Sequence, residues 1–130
     1  MDLRTLLLTP QGRIGRGPFW IGVAIVMVLS LVLNIIPGMV GHLIGFVLLW
    51  PQVCVHAKRL HDIGRTAWWM LVPALIVVAC GLASFALGFS ETGGASGPAL
   101  VPMAVAAVCG LGFLLWVGST PGSPQPNRFG

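Results

Sequence analysis

The residues best suited to chemistry lie together. Positions 56–69 read HAKRLHDIGRTAWW, and Lys58, Arg59, Asp62 and Arg65 fall within eight positions there, beside His56 and His61. The 130-residue chain carries only ten acidic and basic side chains, seven Lys or Arg and three Asp or Glu, so this density is unusual for it. An arginine presents a planar fork of donors that matches a phosphate. Arg13, Arg16, Lys58, Arg59 and Arg65 are therefore candidates for a basic pocket, with His56, His61 and Asp62 as its polar partners. On the cytoplasmic face of a membrane such a pocket would take an anionic lipid headgroup or a phosphorylated ligand. Where the Ile-Gly-Arg segments at 14–16 and 63–65 open helices, their backbone N–H groups would add to it.

Other chemistries fit less well. Adjacent residues on one helix point about 100° apart, so a hydrolase or transferase using His61 with Asp62 would need a partner from another element. His56, His61 and Asp62 are ligand types for a metal, but no HExxH or paired CxxC surrounds them. No metal and no other cofactor is expected. A P-loop and the multi-aspartate signature of CDP-alcohol phosphotransferases are also missing from the sequence. Catalysis is not the leading expectation.

The elements that must position these residues follow from composition. The chain is 56% hydrophobic and 8% charged, with a net charge of +4 and a mean hydropathy of +0.94. A soluble domain carries about 25% charged residues, so lipid is the expected solvent and nucleic acid is not an expected partner. A span needs about 20 largely apolar residues, and four stretches come close: 19–36, 39–57, 68–89 and 100–117. Pro37-Gly38 ends the first, and SETGGASGP separates the last two. Residues 1–18 form a cytoplasmic or interfacial segment in which the cluster around Leu6-Leu7-Leu8 could lie half-embedded, ended by Pro10 and Gly12. That cluster is too short for a cleaved signal peptide, so the first span is expected to act as the insertion signal. Residues 118–130 form a tail too rich in Pro and Gly to continue a helix.

In this arrangement all seven cations fall on one side: Arg4, Arg13 and Arg16, then Lys58, Arg59 and Arg65, then Arg128. The other side holds only Glu91. The positive-inside rule makes the cationic side cytoplasmic, with both termini there. Trp20, Trp68, Trp69 and Trp116 sit at cytoplasmic span ends as expected interface anchors, while Trp50 lies deeper beside Pro51.

Within the spans, polar residues are few. Gln52, His56 and Arg59 share one helical face within about 60°, a stripe that should face protein or water rather than lipid. Asp62 can pair with Lys58 or Arg59 on its own helix, or with Arg16 or Arg65 across the fold. Asn34 and His42 lie near the outer end, so little at midplane could serve a transport pathway. Gly41 and Gly45 form a GxxxG, and Ser84 and Gly88 a second small pair, which serve either the intramolecular bundle or a homo-oligomer. Cys54, Cys80 and Cys109 read as small buried hydrophobes.

A repeat is also visible. Ile14-Gly15-Arg16-Gly17-Pro18-Phe19-Trp20 matches Ile63-Gly64-Arg65-Thr66-Ala67-Trp68-Trp69 at an offset of 49 residues. Two hairpins of like orientation would form parallel repeats about an axis along the membrane normal. Any site is expected where the two copies meet.

Three segments in order, GRIGRGPFW (12–20), AKRLHDIGRTAWW (57–69) and PNRFG (126–130), carry a resemblance. Together they resemble the bacterial inner-membrane family called domain of unknown function 805. Lys58 and Thr66-Ala67 depart from that family's common Arg and Ser-Gly without altering the charge pattern. Members usually continue past the Asn-Arg-aromatic-Gly motif, so a trimmed tail is open here. The resemblance implies a multi-pass inner-membrane protein and supplies no activity.

The expectation is an all-α membrane protein: a four-helix transmembrane bundle, built from two parallel hairpins, with N and C termini cytoplasmic. Its expected function is recognition of an anionic lipid or phosphorylated ligand at the basic cytoplasmic site. The alternatives are a non-catalytic scaffold or regulatory subunit, and a small oligomeric transporter or channel.

Overall fold

A computed structural model describes residues 2–33, 35–36, 39–90, 94–95 and 97–129. Asn34, Pro37-Gly38 and Glu91 lie outside the described residues, as do the side chains of Gly41 and His42. The described chain is overwhelmingly helical: α1 (Leu3–Leu8), α2 (Arg16–Leu33), α3 (Met39–Asp62), α4 (Leu71–Ala86) and α5 (Gly97–Ser119). A short 3₁₀ turn, Ala67–Met70, leads into α4. The connection after α4 contains a two-residue antiparallel pairing, Phe89–Ser90 with Gly94–Ala95. Among the described residues, three helical stretches are long and apolar enough to cross a membrane: Arg16–Leu33, Ala67–Ala86 and Gly97–Ser119.

Helix boundaries follow local chemistry. Asp2 caps α1 by accepting from the Thr5 N–H at 2.7 Å. Pro10 stands two residues beyond the end of α1, where a helix cannot continue through it. Helix α2 begins at Arg16 rather than Phe19, because Pro18 sits in its first turn, where the missing N–H has no intrahelical partner to lose. Helix α3 runs on through the charged motif to Asp62. It ends in a Schellman motif: the Arg65 N–H bonds Leu60 O at 2.8 Å and the Gly64 N–H bonds His61 O at 3.1 Å. Gly64 takes φ +76°, which a Cβ would oppose. Helix α4 stops at Ala86, so Gly88, at φ +95°, stands beyond it and does not continue a helical stripe with Ser84.

The chain forms two compact units, Met1–Ala67 with Val117–Gly130, and Trp68–Trp116. The first unit holds nearly all of the core. Residues 54–60 of α3 are buried in every direction, which marks that half of the helix as central. Leu6 of α1, Ile14, Phe19 and Val26 on the α2 side, and Val117 pack as the remaining buried hydrophobes. Close approach is enabled by Gly22, whose Cβ would fall 2.9 Å from a Val55 methyl, and by Gly118, whose Cβ would overlap the Trp20 ring. In the second unit the buried Ser84 hydroxyl donates to Ala99 O at 3.0 Å. Trp69 and Trp116 pack 6.0 Å apart between ring centroids. Elsewhere α2, α4 and α5 present Leu, Val and Ile outward, as a lipid-facing surface would.

Candidate functional site

The motif's charges build a buried cluster inside the first unit. Asp62 lies on the last turn of α3, and Arg59 one turn before it shares its carboxylate through Nη1 and Oδ2. Arg13, from the segment before α2, donates to Oδ1 through both Nε and Nη2 at 3.1 Å. The cross-fold partner that the structure gives Asp62 is Arg13, because the extended chain before α2 passes directly over the α3 terminus. One carboxylate thus bridges two guanidinium groups.

The remaining donors reach backbone carbonyls. Arg59 is fully buried; its Nε donates to Val117 O at 3.1 Å, its Nη1 also to Ile14 O at 3.2 Å, and its Nη2 to Thr120 O. Four of its five N–H groups therefore have acceptors within the chain. Arg13 donates to Ser123 O at 2.6 Å and to Gln125 O at 3.1 Å. The Ser123 N–H returns a bond to Asp62 O at 2.7 Å. Gly122 lies against the Asp62 carboxylate so closely that a Cβ there would overlap it.

Sequence reasoning missed the acceptors, although a signal exists. Thr120, Ser123 and Gln125 each stand immediately before a proline, at 121, 124 and 126. A residue before proline is driven to extended backbone, and proline itself supplies no donor. A T-P-x-S-P-Q-P tail is therefore poor in donors and directs carbonyls outward, which suits guanidinium groups.

The other candidates go to different partners. Lys58 is buried and donates to Thr5 O and, at 3.3 Å, to Leu6 O, so it caps the end of α1. His56 turns inward, with Nδ1 2.9 Å from Gln52 O and its ring edge-on to Phe19. His61 turns outward, with Nδ1 3.3 Å from Gly12 O and its ring stacked 4.1 Å from Phe129. The Asn127 amide donates to His61 O at 2.9 Å. Arg16 and Arg65 are exposed, as are Arg4 and Arg128. Among the anchor candidates Trp20, Trp68, Trp69 and Trp116 are all exposed. His56, His61 and Asp62 do not converge, and among the described residues no three His, Cys, Asp or Glu side chains group as a metal would need.

The three quoted sequence segments therefore meet at one place: 12–14 and 126–129 both close on 56–62. The family described as "Protein of unknown function (DUF805)" matches residues 7–130, a stretch that includes all three segments. The chain belongs to the DUF805 family. It is 33% identical over 102 residues to the uncharacterized protein YiiR of Escherichia coli strain K12, covering 68% of this chain and 70% of that one. The same figures hold for the protein of that name from Escherichia coli O157:H7. No solved structure matches. In this DUF805 protein the family's charged motif is, physically, a carboxylate–guanidinium–carbonyl cluster holding three distant chain segments together.

Proposed function

We propose that this DUF805 protein is a multi-pass bacterial inner-membrane protein with four spans and both termini in the cytoplasm, acting there as a non-catalytic scaffold. The observation that carries the reading is Arg59, fully buried with its donors on the chain's own acceptors and on Asp62. Donors held in this way maintain a shape rather than meet a ligand.

The topology has support of its own. Residues 39–57 of α3 contain no Lys, Arg, Asp or Glu, which suits a fourth span. Both terminal segments and the end of α3 meet in one unit, and all seven cations belong to that unit. Excess positive charge marks the cytoplasmic side. The parallel-repeat reading gains from two contacts, Gly12 with His61 and Arg13 with Asp62, each joining positions 49 residues apart, which is the repeat offset.

Extracted from native membranes in mild detergent, the intact chain is expected to retain a stoichiometric protein partner. Arg16→Ala should release that partner and leave the unfolding temperature unchanged. Ion flux through reconstituted vesicles that disappears with Gln52→Leu would instead make the protein a transporter.

A second reading is favoured by the exposure of Arg4, Arg16, Arg65 and Arg128 around the closed interior. Anionic headgroups are attracted to such cations at about 1 kcal/mol each. Phosphatidylglycerol vesicles should then raise the unfolding temperature above that in phosphatidylcholine, less so after Arg4→Ala with Arg128→Ala. Equal temperatures in both lipids would sink this reading.

A further inference from the structure

Residues 2–14 run along α3 and turn back. Midway along α1, Lys58 donates to the Thr5 and Leu6 carbonyls, which belong to the last turn. Two residues later Leu8 O accepts from Trp50 Nε1 at 3.1 Å. Trp50 stands eight residues before Lys58, or about 12 Å further from the motif end of α3 at 1.5 Å per residue. The chain then returns, since Gly12 O lies 3.3 Å from His61 Nδ1 and Arg13 grips Asp62. From Trp50 to His61 is about 16 Å along the helix axis. Four residues of fully extended chain cover about 13–14 Å, and the side chains of Trp50 and His61 make up the rest. Thr9 is extended at φ −114°, ψ 131°, as its place before Pro10 requires.

We infer that residues 2–13 form a re-entrant wedge, dipping beside α3 into the acyl-chain region of the leaflet on the side of the termini. The inference rests on the reading that α2 and α3 cross the membrane. Leu6 faces the protein core, whereas Leu3 and Leu8 are 61% and 55% exposed. At the depth of Leu8 the neighbouring surface of α3 is also apolar and exposed, at Leu49, Trp50 and Val53. The wedge therefore extends a surface already facing lipid, and its occupant is the acyl chains. The charged residue Asp2 stays at the motif end, near enough to Lys58 to feel its charge. Two features limit the polar cost of the turn: the Thr9 hydroxyl donates to Thr5 O at 2.8 Å, and Pro10 has no N–H to satisfy.

The test is nitroxide depth measurement on the full chain in vesicles, with the label attached bioorthogonally so that the three cysteines stay in place. Labels go at the exposed positions 3 and 8, with position 29 in α2 as the buried-in-lipid reference and position 125 as the aqueous one. The expected result is a ratio of oxygen to nickel-chelate relaxation that is higher at 8 than at 3 and approaches that at 29. A ratio at 8 equal to that at 125, with 29 still shielded from nickel, overturns the wedge and leaves the spanning reading intact. Nickel access at 29 overturns both.

Discussion

Asp62 is the residue on which the first unit depends. Its carboxylate is the common acceptor for Arg13 and Arg59, and its backbone carbonyl takes the Ser123 N–H. Removing one member of a buried ion pair costs about 3–5 kcal/mol, because the partner charge stays buried without compensation. Here Arg59 would be left buried and Arg13 part-exposed, so Asp62→Asn should fall within that range. Reversible unfolding in detergent measures it, and a loss under about 1 kcal/mol, typical of a surface pair, would show the cluster to be superficial. In the sequence Asp62 stood out as an acid among cations, and its pairing with Arg59 was one legible option. Arg13 as the second partner was not legible, because a contact between residues 49 apart depends on how the chain before α2 crosses the end of α3.

At the scale of elements, α1 is held more firmly than six residues could hold themselves. Asp2 caps its first turn, Lys58 and Trp50 take carbonyls at its end, and Leu6 is buried beneath it. The hydrogen bond from the Thr5 backbone N–H, followed by that from the Thr5 hydroxyl, holds the Asp2 pKa below its ordinary value of 3.8. A carboxyl with a lowered folded-state pKa contributes stability above its unfolded pKa and loses it as pH falls through the lowered value. The protection factor of the Thr5 amide, relative to intrinsic exchange at the same pH, should therefore fall below about pH 4, and Asp2→Asn, which can still cap, should flatten that dependence. A fall unchanged in the Asn variant would place its cause elsewhere. The leucine cluster was readable as a short helix ended at Pro10, but its partners on α3 were not, since nothing local ties Leu8 to Trp50.

Across the whole first unit, the tail is a structural part and not an appendage. The carbonyls of Thr120, Ser123 and Gln125 receive buried or part-buried arginine donors, and Phe129 covers His61. Each buried donor left without an acceptor costs about 1–3 kcal/mol. Truncation after Ser119 should therefore destabilise the chain by more than about 3 kcal/mol and expose the motif to protease. A truncated protein with an unchanged unfolding temperature would contradict the cluster as drawn. This expectation also separates the scaffold from a ligand site: a tail covering a binding pocket should be removable without loss of the fold.

Composition alone pointed to helices apolar enough to cross a membrane, because too few polar side chains exist to cover a soluble globule. The length of the apolar stretches and proline placement largely determined where α2 to α5 run, and the seven cations all fall in the unit that holds both termini. These are local or additive properties, so a linear reading captures them. Only the tertiary structure decided what the charges do. HAKRLHDIGRTAWW shows its donors one by one, and the structure adds the acceptors that Arg59, together with Arg13, reaches. Those acceptors are backbone carbonyls of residues 14, 117, 120, 123 and 125. Every residue has such a carbonyl, so its type carries no mark of the role; only the path of the chain brings it within reach of an arginine.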